Sequence, residues 1–291
     1  MSRDVFIIDG SRTPFLKTGY KPNPLAAADL AVAAAQPLLA RQPFAASDIG
    51  EVIMGCVGPN AAEANIGRIV ALRIGCGDHV PAWSVQRNCA SGLQAIDNAV
   101  QDISMGRHEL VLAGGTEAMS RAGMFFSEDF LNWLGDFNLA KNIQQKLAVI
   151  TQFRPRYLQP VVTLLRALND PVVNLSMGQT AEKLAYKFGI TRREMDEFSI
   201  QSHQKAAAAI NNKNFAAEMI PLFDWLGKFY ETDSGIRADS NIEKLATLKP
   251  VFDKPFGLVT AANSSQISDG AAVLLLASQQ AVTKYKLKPL A

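Results

Sequence analysis

The sequence predicts an α/β protein in which a strand–helix–strand layer is interrupted by a long, mostly helical segment. Three observations carry that expectation. Apolar runs of strand length recur early, at Val5–Asp9, Glu51–Val57, Trp83–Gln86 and Glu109–Gly115. Stripes with helical spacing fall between them. From about residue 117 the strand signal fades, and it returns only after Pro250. Alternation of this kind argues for a layer built on βα units.

Taken in order, Val5–Asp9 reads as a strand that stops at Gly10, and Leu25–Leu39 as an alanine-rich helix interrupted by Pro37. Glu51–Val57 is bounded by Gly58-Pro59. Ile66, Ile69, Val70 and Ile74 make a helical stripe that ends at Gly75 or Gly77. Leu93, Ile96, Val100 and Ile103 make another, closed by Gly106. In the middle, Phe130, Trp133, Leu134 and Phe137 form one apolar stripe, and Leu139, Ile143, Leu147 and Ile150 a second. Between Phe137 and Asn169 lie five bases (Lys141, Lys146, Arg154, Arg156, Arg166) and no acid. Thr191 and Glu194 have the spacing of a capping box, opening a helix that runs past His203 to Ile210. Strand character is expected again at Gly257–Ala261 and Ala271–Ala277. The economical division is an α/β core at 1–117 and 251–291, with an inserted loop domain at 118–250.

Composition narrows the function. The chain has 291 residues, 48% hydrophobic and 19% charged, which excludes disorder and a disulfide-stapled mini-protein. A net charge of +2 is too close to balance for a nucleic-acid footprint. Three cysteines, Cys56, Cys76 and Cys89, are too few for a disulfide framework and fit a reducing compartment. No apolar run approaches the roughly 18 residues of a spanning helix. Met1-Ser2-Arg3-Asp4 runs straight into Val5-Phe6-Ile7-Ile8, leaving no room for a leader, so a cytoplasmic protein is expected.

Cys89 is the sharpest chemical candidate. It lies in Gln86-Arg87-Asn88-Cys89-Ala90-Ser91-Gly92-Leu93, between a strand and the first turn of a helix. Unpaired N–H groups and the positive end of the helix dipole favour a thiolate there, and a tight turn can aim an N–H at an oxyanion. The competing reading is a small buried hydrophobe. Cys56 falls inside a strand run and reads as core. Cys76 and His79 have CxxH spacing without a second pair, so no metal site is expected. His79, His108 and His203 lie in no pattern that marks a catalytic base. Neither GxGxxG nor GxxxxGK[ST] occurs, so the glycine-containing segments Ala113–Glu117 and Gly257–Gly270 carry no nucleotide signature.

These segments, in this order, resemble the thiolase family. Asn88-Cys89-Ala90-Ser91-Gly92 is similar to its nucleophile motif. Gly114–Ser120 (GGTEAMS), Ser176–Glu182 (SMGQTAE), Ser202-His203, Thr260–Ser265 (TAANSS) and Asp269-Gly270-Ala271-Ala272 follow. The resemblance covers essentially the whole chain. Within the family it is nearest to β-subunits of fatty-acid-oxidation complexes, through the TAANSS wording, the stretch from Ile236-Arg237 to Phe252, and the helical insert from Met124 to Leu175.

The resemblance implies a thiolase fold of two similar α/β halves, with the loop domain inserted in the first. It implies thiolytic cleavage of a 3-ketoacyl-CoA by CoA, or the reverse condensation, with Cys89 acylated. Ser265 falls where the family contacts the pantetheine arm of CoA, Met177 where it lines the acyl pocket, and Arg237 in the segment that approaches the nucleotide end. CoA enters as substrate; no cofactor and no metal are implied. The expected partners are acyl-CoA and CoA, a second copy in a homodimer or larger assembly, and the α-subunit of a β-oxidation complex. The basic excess and aromatic stripes of the 124–175 insert suit an anionic membrane surface or a partner subunit. The family's later asparagine, Gly-His-Pro and second Cys-x-Gly segments do not follow, and the chain stops about where the family crosses into its second half. The expectation is therefore the N-terminal half of a 3-ketoacyl-CoA thiolase. The alternative is a catalytically silent domain that binds CoA or mediates oligomerisation. A ketoacyl synthase fits less well, because Gly178–Glu182 and the TAANSS segment are thiolase-like.

Overall fold

The central sheet divides its side chains between two separate cores, and that division decides where the helices lie. The computed structural model describes residues 3–19 and 21–291; Met1, Ser2 and Tyr20 lie outside them. The first part runs β1 (Val5–Arg12), β2 (Leu16–Lys17), α1 (Ala27–Ala40), β3 (Glu51–Gly55), α2 (Ile66–Arg73), β4 (Ala82–Val85), α3 (Ser91–Ser104) and β5 (Leu110–Ala118). The middle follows with β6 (Met124–Phe125), α4 (Glu128–Leu139), α5 (Ile143–Thr151), β7 (Val161–Val162), α6 (Thr163–Ala167), β8 (Asn169–Asp170) and β9 (Leu175–Ser176). Then come α7 (Met177–Phe188), α8 (Arg192–Asn211), β10 (Leu222–Phe223), β11 (Phe229–Tyr230) and α9 (Ile242–Ala246). The long strand β12 (Ser268–Ser278) and α10 (Gln279–Tyr285) complete it.

The six-stranded sheet has the order β1-β12-β5-β3-β4, with β2 beside β12. β3 is parallel to both β4 and β5, while β12 is antiparallel to β5 and β1. Side chains alternate between faces along each strand. Val52 and Met54 of β3, Leu110 and Leu112 of β5, and Val273 and Leu275 of β12 enter one core, against α1 and α2. Ile53, Val111, Ala113 and Leu276 enter the other, against Ala95, Ala99 and Ile103 of α3. The second face is thinly covered: Trp83, Val85, Ile96 and Val100 stay half-buried.

Three local expectations change. The first strand does not stop at Gly10 but runs to Arg12, because the missing side chain lets β12 pack across it. A Cβ at Gly10 would sit 2.8 Å from Leu274 Cδ2. Helix α1 continues through Pro37 to Ala40. Pro37 removes one N–H from the ladder, and burial of Leu38 and Leu39 holds the last turn against the sheet. Gly257–Ala261 forms no strand: the N–H groups of Leu258 and Val259 go to Glu182, and that of Thr260 to Asn263.

The excursion that leaves the sheet after Ala118 is a different kind of structure. No residue between Ala118 and Glu182 is buried. Helices α4 and α5 meet through Trp133, whose ring packs on Phe130, Phe137 and Phe153 and whose Nε1–H donates to Val149 O at 2.9 Å. Leu139, Ile143 and Leu147 remain exposed. Residues 218–233 return to the main layer. Leu222 is buried in the first core, and the Arg12 guanidinium reaches Glu218 and Asp233, each at 2.9 Å. Among the described residues no helix is long and apolar enough to cross a membrane.

Glu51, at the start of β3, offers a test of this packing. Trp83 Nε1–H donates to its Oε1 at 2.9 Å, while Oε2 has no hydrogen-bond partner among the described residues and lies 3.8 Å from His108 Nε2. Burial, with the Asp102 carboxylate adding to it, holds its pKa above the ordinary carboxylate range. A carboxyl group shifted upward by folding stabilises the native state at low pH, and that contribution is lost as pH rises through the native pKa. Glu51→Gln keeps the acceptor for Trp83 and removes the charge. It is expected to raise the melting temperature more at pH 8 than at pH 4, as thermal denaturation at the two pH values would read; an equal shift at both would contradict the assignment.

Candidate active site

Cys89 occupies the loop that carries the chain from β4 into α3. Asn88 adopts a left-handed backbone, φ +48°, which reverses the chain in one residue. Ser91 closes the turn: its Oγ accepts from Arg87 N–H at 2.8 Å and donates to Asn88 O at 2.6 Å. The backbone adds Ala90 N–H to Arg87 O at 3.1 Å and Ser91 N–H to Asn88 O at 3.0 Å. Cys89 immediately precedes the cap residue Ala90 and is exposed. The first N–H groups of a helix have no partner within it, so partial positive charge collects beside this thiol.

Glycines set how closely that helix end meets the sheet. Gly55 ends β3 and is in register with Gly115 of the parallel β5. A Cβ on Gly55 would lie 2.4 Å from the Ser91 carbonyl carbon, and one on Gly115 would lie 3.2 Å from Gly92 Cα. Any side chain at Gly55 would therefore drive the start of α3 off the carboxyl ends of the strands, where open α/β sheets place their ligands. This contact is invisible in a motif search, although glycines at the ends of two apolar strand runs are its trace in the sequence.

The other thiols are built differently. Cys56 is buried, with Sγ 3.7 Å from a Glu117 carboxylate that also accepts from Val57 and Gly58 N–H. Burial first, then the Glu117 charge, push its pKa up to about 12. Burial alone raises Cys76 to about 11. His79 approaches Ser47 O at 3.4 Å, His108 lies 3.8 Å from Glu51, and His203 Nδ1 accepts the Arg237 N–H at 3.2 Å. Among the described residues no three His, Cys, Asp or Glu side chains converge as a metal site would require.

Two of the remaining sequence candidates share a cavity of about 1130 Å³. Met177 lines it from the first turn of α7 and Ser265 from the loop before β12. Met195 of α8, Phe252 and Val162 add apolar surface, and Arg156 and Arg166 come from the insert. Ser265 Oγ donates to Gln266 O at 3.2 Å. Neither Cys89 nor Arg237 lines this cavity; Arg237 is exposed where its N–H meets His203. Chemically the arrangement offers an accessible thiol at a helix start and, separately, a mixed apolar and basic cavity that suits a long ligand with an anionic part.

The family model described as thiolase, N-terminal domain, matches residues 5–280. The chain belongs to the thiolase family. It is 36% identical over 288 residues to the mitochondrial trifunctional enzyme subunit beta of Bos taurus, covering 99% of this chain and 59% of that protein. It is 33% identical over 291 residues to a 3-ketoacyl-CoA thiolase of Yersinia enterocolitica, covering 98% of this chain and 65% of the other. Its fold matches the crystal structure of human mitochondrial 3-ketoacyl-CoA thiolase in complex with CoA, with a TM-score of 0.86 and 33% identity. That match takes in 99% of this chain and 68% of the human one. The chain thus spans about 59–65% of the length of these curated relatives. The expected likeness to β-subunits of fatty-acid oxidation and the expected layered α/β thiolase architecture are both borne out.

This thiolase-family chain should react with electrophiles at one thiol. Iodoacetamide at pH 8 is expected to modify Cys89, with Cys56 and Cys76 following only on denaturation. Mass-spectrometric peptide mapping reads it; early label on either buried thiol would contradict the burial and pKa assignments.

Proposed function

We propose that this chain is the nucleophile-bearing N-terminal part of a 3-ketoacyl-CoA thiolase, an acetyl-CoA C-acyltransferase of fatty-acid β-oxidation that transfers the acyl group through a cysteine thioester. The observation behind the reading is Cys89, the exposed thiol of the three, placed at the helix start by the glycine contacts. Its thiolate attacks the keto carbon of a 3-ketoacyl-CoA. The bond between C2 and C3 breaks, a thioester forms on Cys89, and the C2 carbanion takes a proton to leave as acetyl-CoA. The thiol of CoA then displaces the acyl group, which returns the Cys89 thiolate and releases a chain-shortened acyl-CoA. N–H groups at the start of α3 favour a developing oxyanion. After Cys89 this sequence has no further cysteine and no Gly-His-Pro segment. The reading gives this chain the nucleophile and the ligand contacts.

Ligand contacts in this reading are Ser265 for the pantetheine arm, Met177 for the acyl chain and Arg237 for the nucleotide end. The shared cavity supports the first two, and the exposure of Arg237 leaves it free to reach an anionic group at the surface. CoA is substrate, with no separate cofactor or metal. Cytoplasmic residence and self-association belong to the same proposal, supported by three free thiols and by the half-covered face of α3. An α-subunit of a β-oxidation complex is the proposed further partner.

Mixing the chain with acetoacetyl-CoA and trapping at acid pH is expected to add one acetyl group at Cys89. Cys89→Ser should abolish the adduct with an unchanged circular dichroism spectrum. An adduct retained in that variant would reject the assignment, and no adduct on the wild-type chain would favour a catalytically silent CoA-binding domain.

The insert supports a proposed contact with an anionic membrane surface. Leu139 at the end of α4 and Ile143 and Leu147 on α5 are exposed around Lys141 in the link between them, an apolar and basic surface of the kind that lies at an interface. Flotation with anionic liposomes is expected to carry the chain upward, and Leu139→Gln with Ile143→Gln to prevent it. Equal flotation of wild type and variant would remove the insert from the explanation.

A further inference from the structure

We infer that Glu182 and Asp196 are positioning residues that set the Asn263–Ser265 wall of the cavity, and through it the grip on the CoA part of the ligand. The inference rests on the acyl-CoA reading given above. Both carboxylates are buried, 8% and 1% exposed, yet neither touches the cavity. Their chain neighbours do: Ala181 and Met195 line it, from α7 and α8. Each helix therefore presents a lining side chain and, one residue on, an acid directed into the loop that forms the adjoining wall.

The hydrogen bonds define the clamp. Glu182 Oε1 accepts from Leu258 N–H at 2.9 Å and Val259 N–H at 2.8 Å, and Oε2 accepts from Leu258 N–H at 2.8 Å. Asp196 Oδ1 accepts from Asn263 Nδ2–H at 2.9 Å, and its Oδ2 is held by Arg192 Nε–H at 2.7 Å. Asn263 passes the constraint along the loop by accepting from Thr260 N–H at 2.7 Å. Ser199 of α8 adds an O–H bond to Ala262 O at 2.6 Å.

This loop packs closely against α7, with no room for a side chain at either facing glycine. A Cβ on Gly257 would fall 2.5 Å from Glu182 Oε1, and one on Gly178 would fall 2.0 Å from the Phe252 ring. Burying a carboxylate is costly unless it is fully hydrogen-bonded, and apolar side chains would fill the same space at less cost. What apolar residues cannot do is take up backbone N–H groups that no strand accepts. Charge-assisted bonds are roughly twice as strong as neutral ones. The two acids thus substitute for a sheet in fixing an irregular wall, and a loosened clamp would widen the cavity at Ser265 while leaving the β4–α3 turn untouched.

The experiment compares the wild-type chain with Glu182→Gln and Asp196→Asn by hydrogen-exchange mass spectrometry, coenzyme A calorimetry and Cys89 alkylation rate. The expected result for each variant is exchange about tenfold or more faster in the peptide spanning residues 257–266, with β5 unchanged. Coenzyme A affinity should fall by roughly tenfold, equivalent to about 1.4 kcal/mol, while iodoacetamide reacts with Cys89 at the wild-type rate. Exchange that is unchanged, or faster throughout the sheet, would overturn the proposal in either variant. So would a loosened loop with undiminished affinity for coenzyme A. If the wild-type chain itself fails to bind coenzyme A, the acyl-CoA reading falls; local exchange then decides the clamp alone, a selective rise supporting it and any other pattern overturning it.

Discussion

The pairing of β12 with β5 brings Asp269 opposite Ala118, so the excursion returns beside the point where it left the sheet. That register is the constraint on which the rest of the chain depends. It holds nine residue pairs, and it inserts β12 as an antiparallel strand between β1 and β5. Asp269 reinforces it by accepting from Ser120 N–H and Oγ–H and from Asn23 Nδ2–H. Loop-closure entropy grows slowly with length, about 0.6 kcal/mol per doubling, so once the base is fixed a long insertion costs little more than a short one. The insert can then be thin, with no buried residue before Glu182, without weakening the layer beneath it.

The same sheet prepares the chemistry. Parallel pairing of β4, β3 and β5 aligns their carboxyl ends, and the turn to α3 crosses that edge. Gly55, Gly92 and Gly115 let the helix start touch the backbone of the strands. A nucleophile needs exposure and stabilisation of its charged form together, and a thiol buried for stability loses both, as Cys56 and Cys76 illustrate. Cys89 escapes burial because Asn88 turns the chain outward just before the helix begins.

Much of the site was readable from its residues, in unequal degree. Cys89 could be found because a small polar turn between a strand run and a helical stripe is a local pattern. Ser265 and Met177 could be assigned only by resemblance, since nothing in their spacing says that segments 88 residues apart face one cavity. Glu182 is legible only as the last letter of the SMGQTAE segment and Asp196 only as one of several acids in α8, and neither position betrays its role, because acids are ordinary in amphipathic helices. Their partners are backbone N–H groups and an amide far along the chain, and a sequence does not display which backbone groups lack a strand.

By itself, the sequence determined the alternation of strands and helices, the place where that alternation stops, and the turn that presents Cys89. These depend on side-chain periodicity and on residues within a few positions of one another. Tertiary structure decided that β1 continues through Gly10, because only the approach of Leu274 explains a glycine there. It decided that Gly257–Ala261 is a loop although its residues favour a strand, because Glu182 and Asn263 take the N–H groups a neighbouring strand would have used. It also decided that residues 218–233 rejoin the main layer, through Arg12 and its carboxylate partners. Each of these outcomes turns on a donor, acceptor or surface distant in sequence, and local periodicity carries no information about which distant group will arrive.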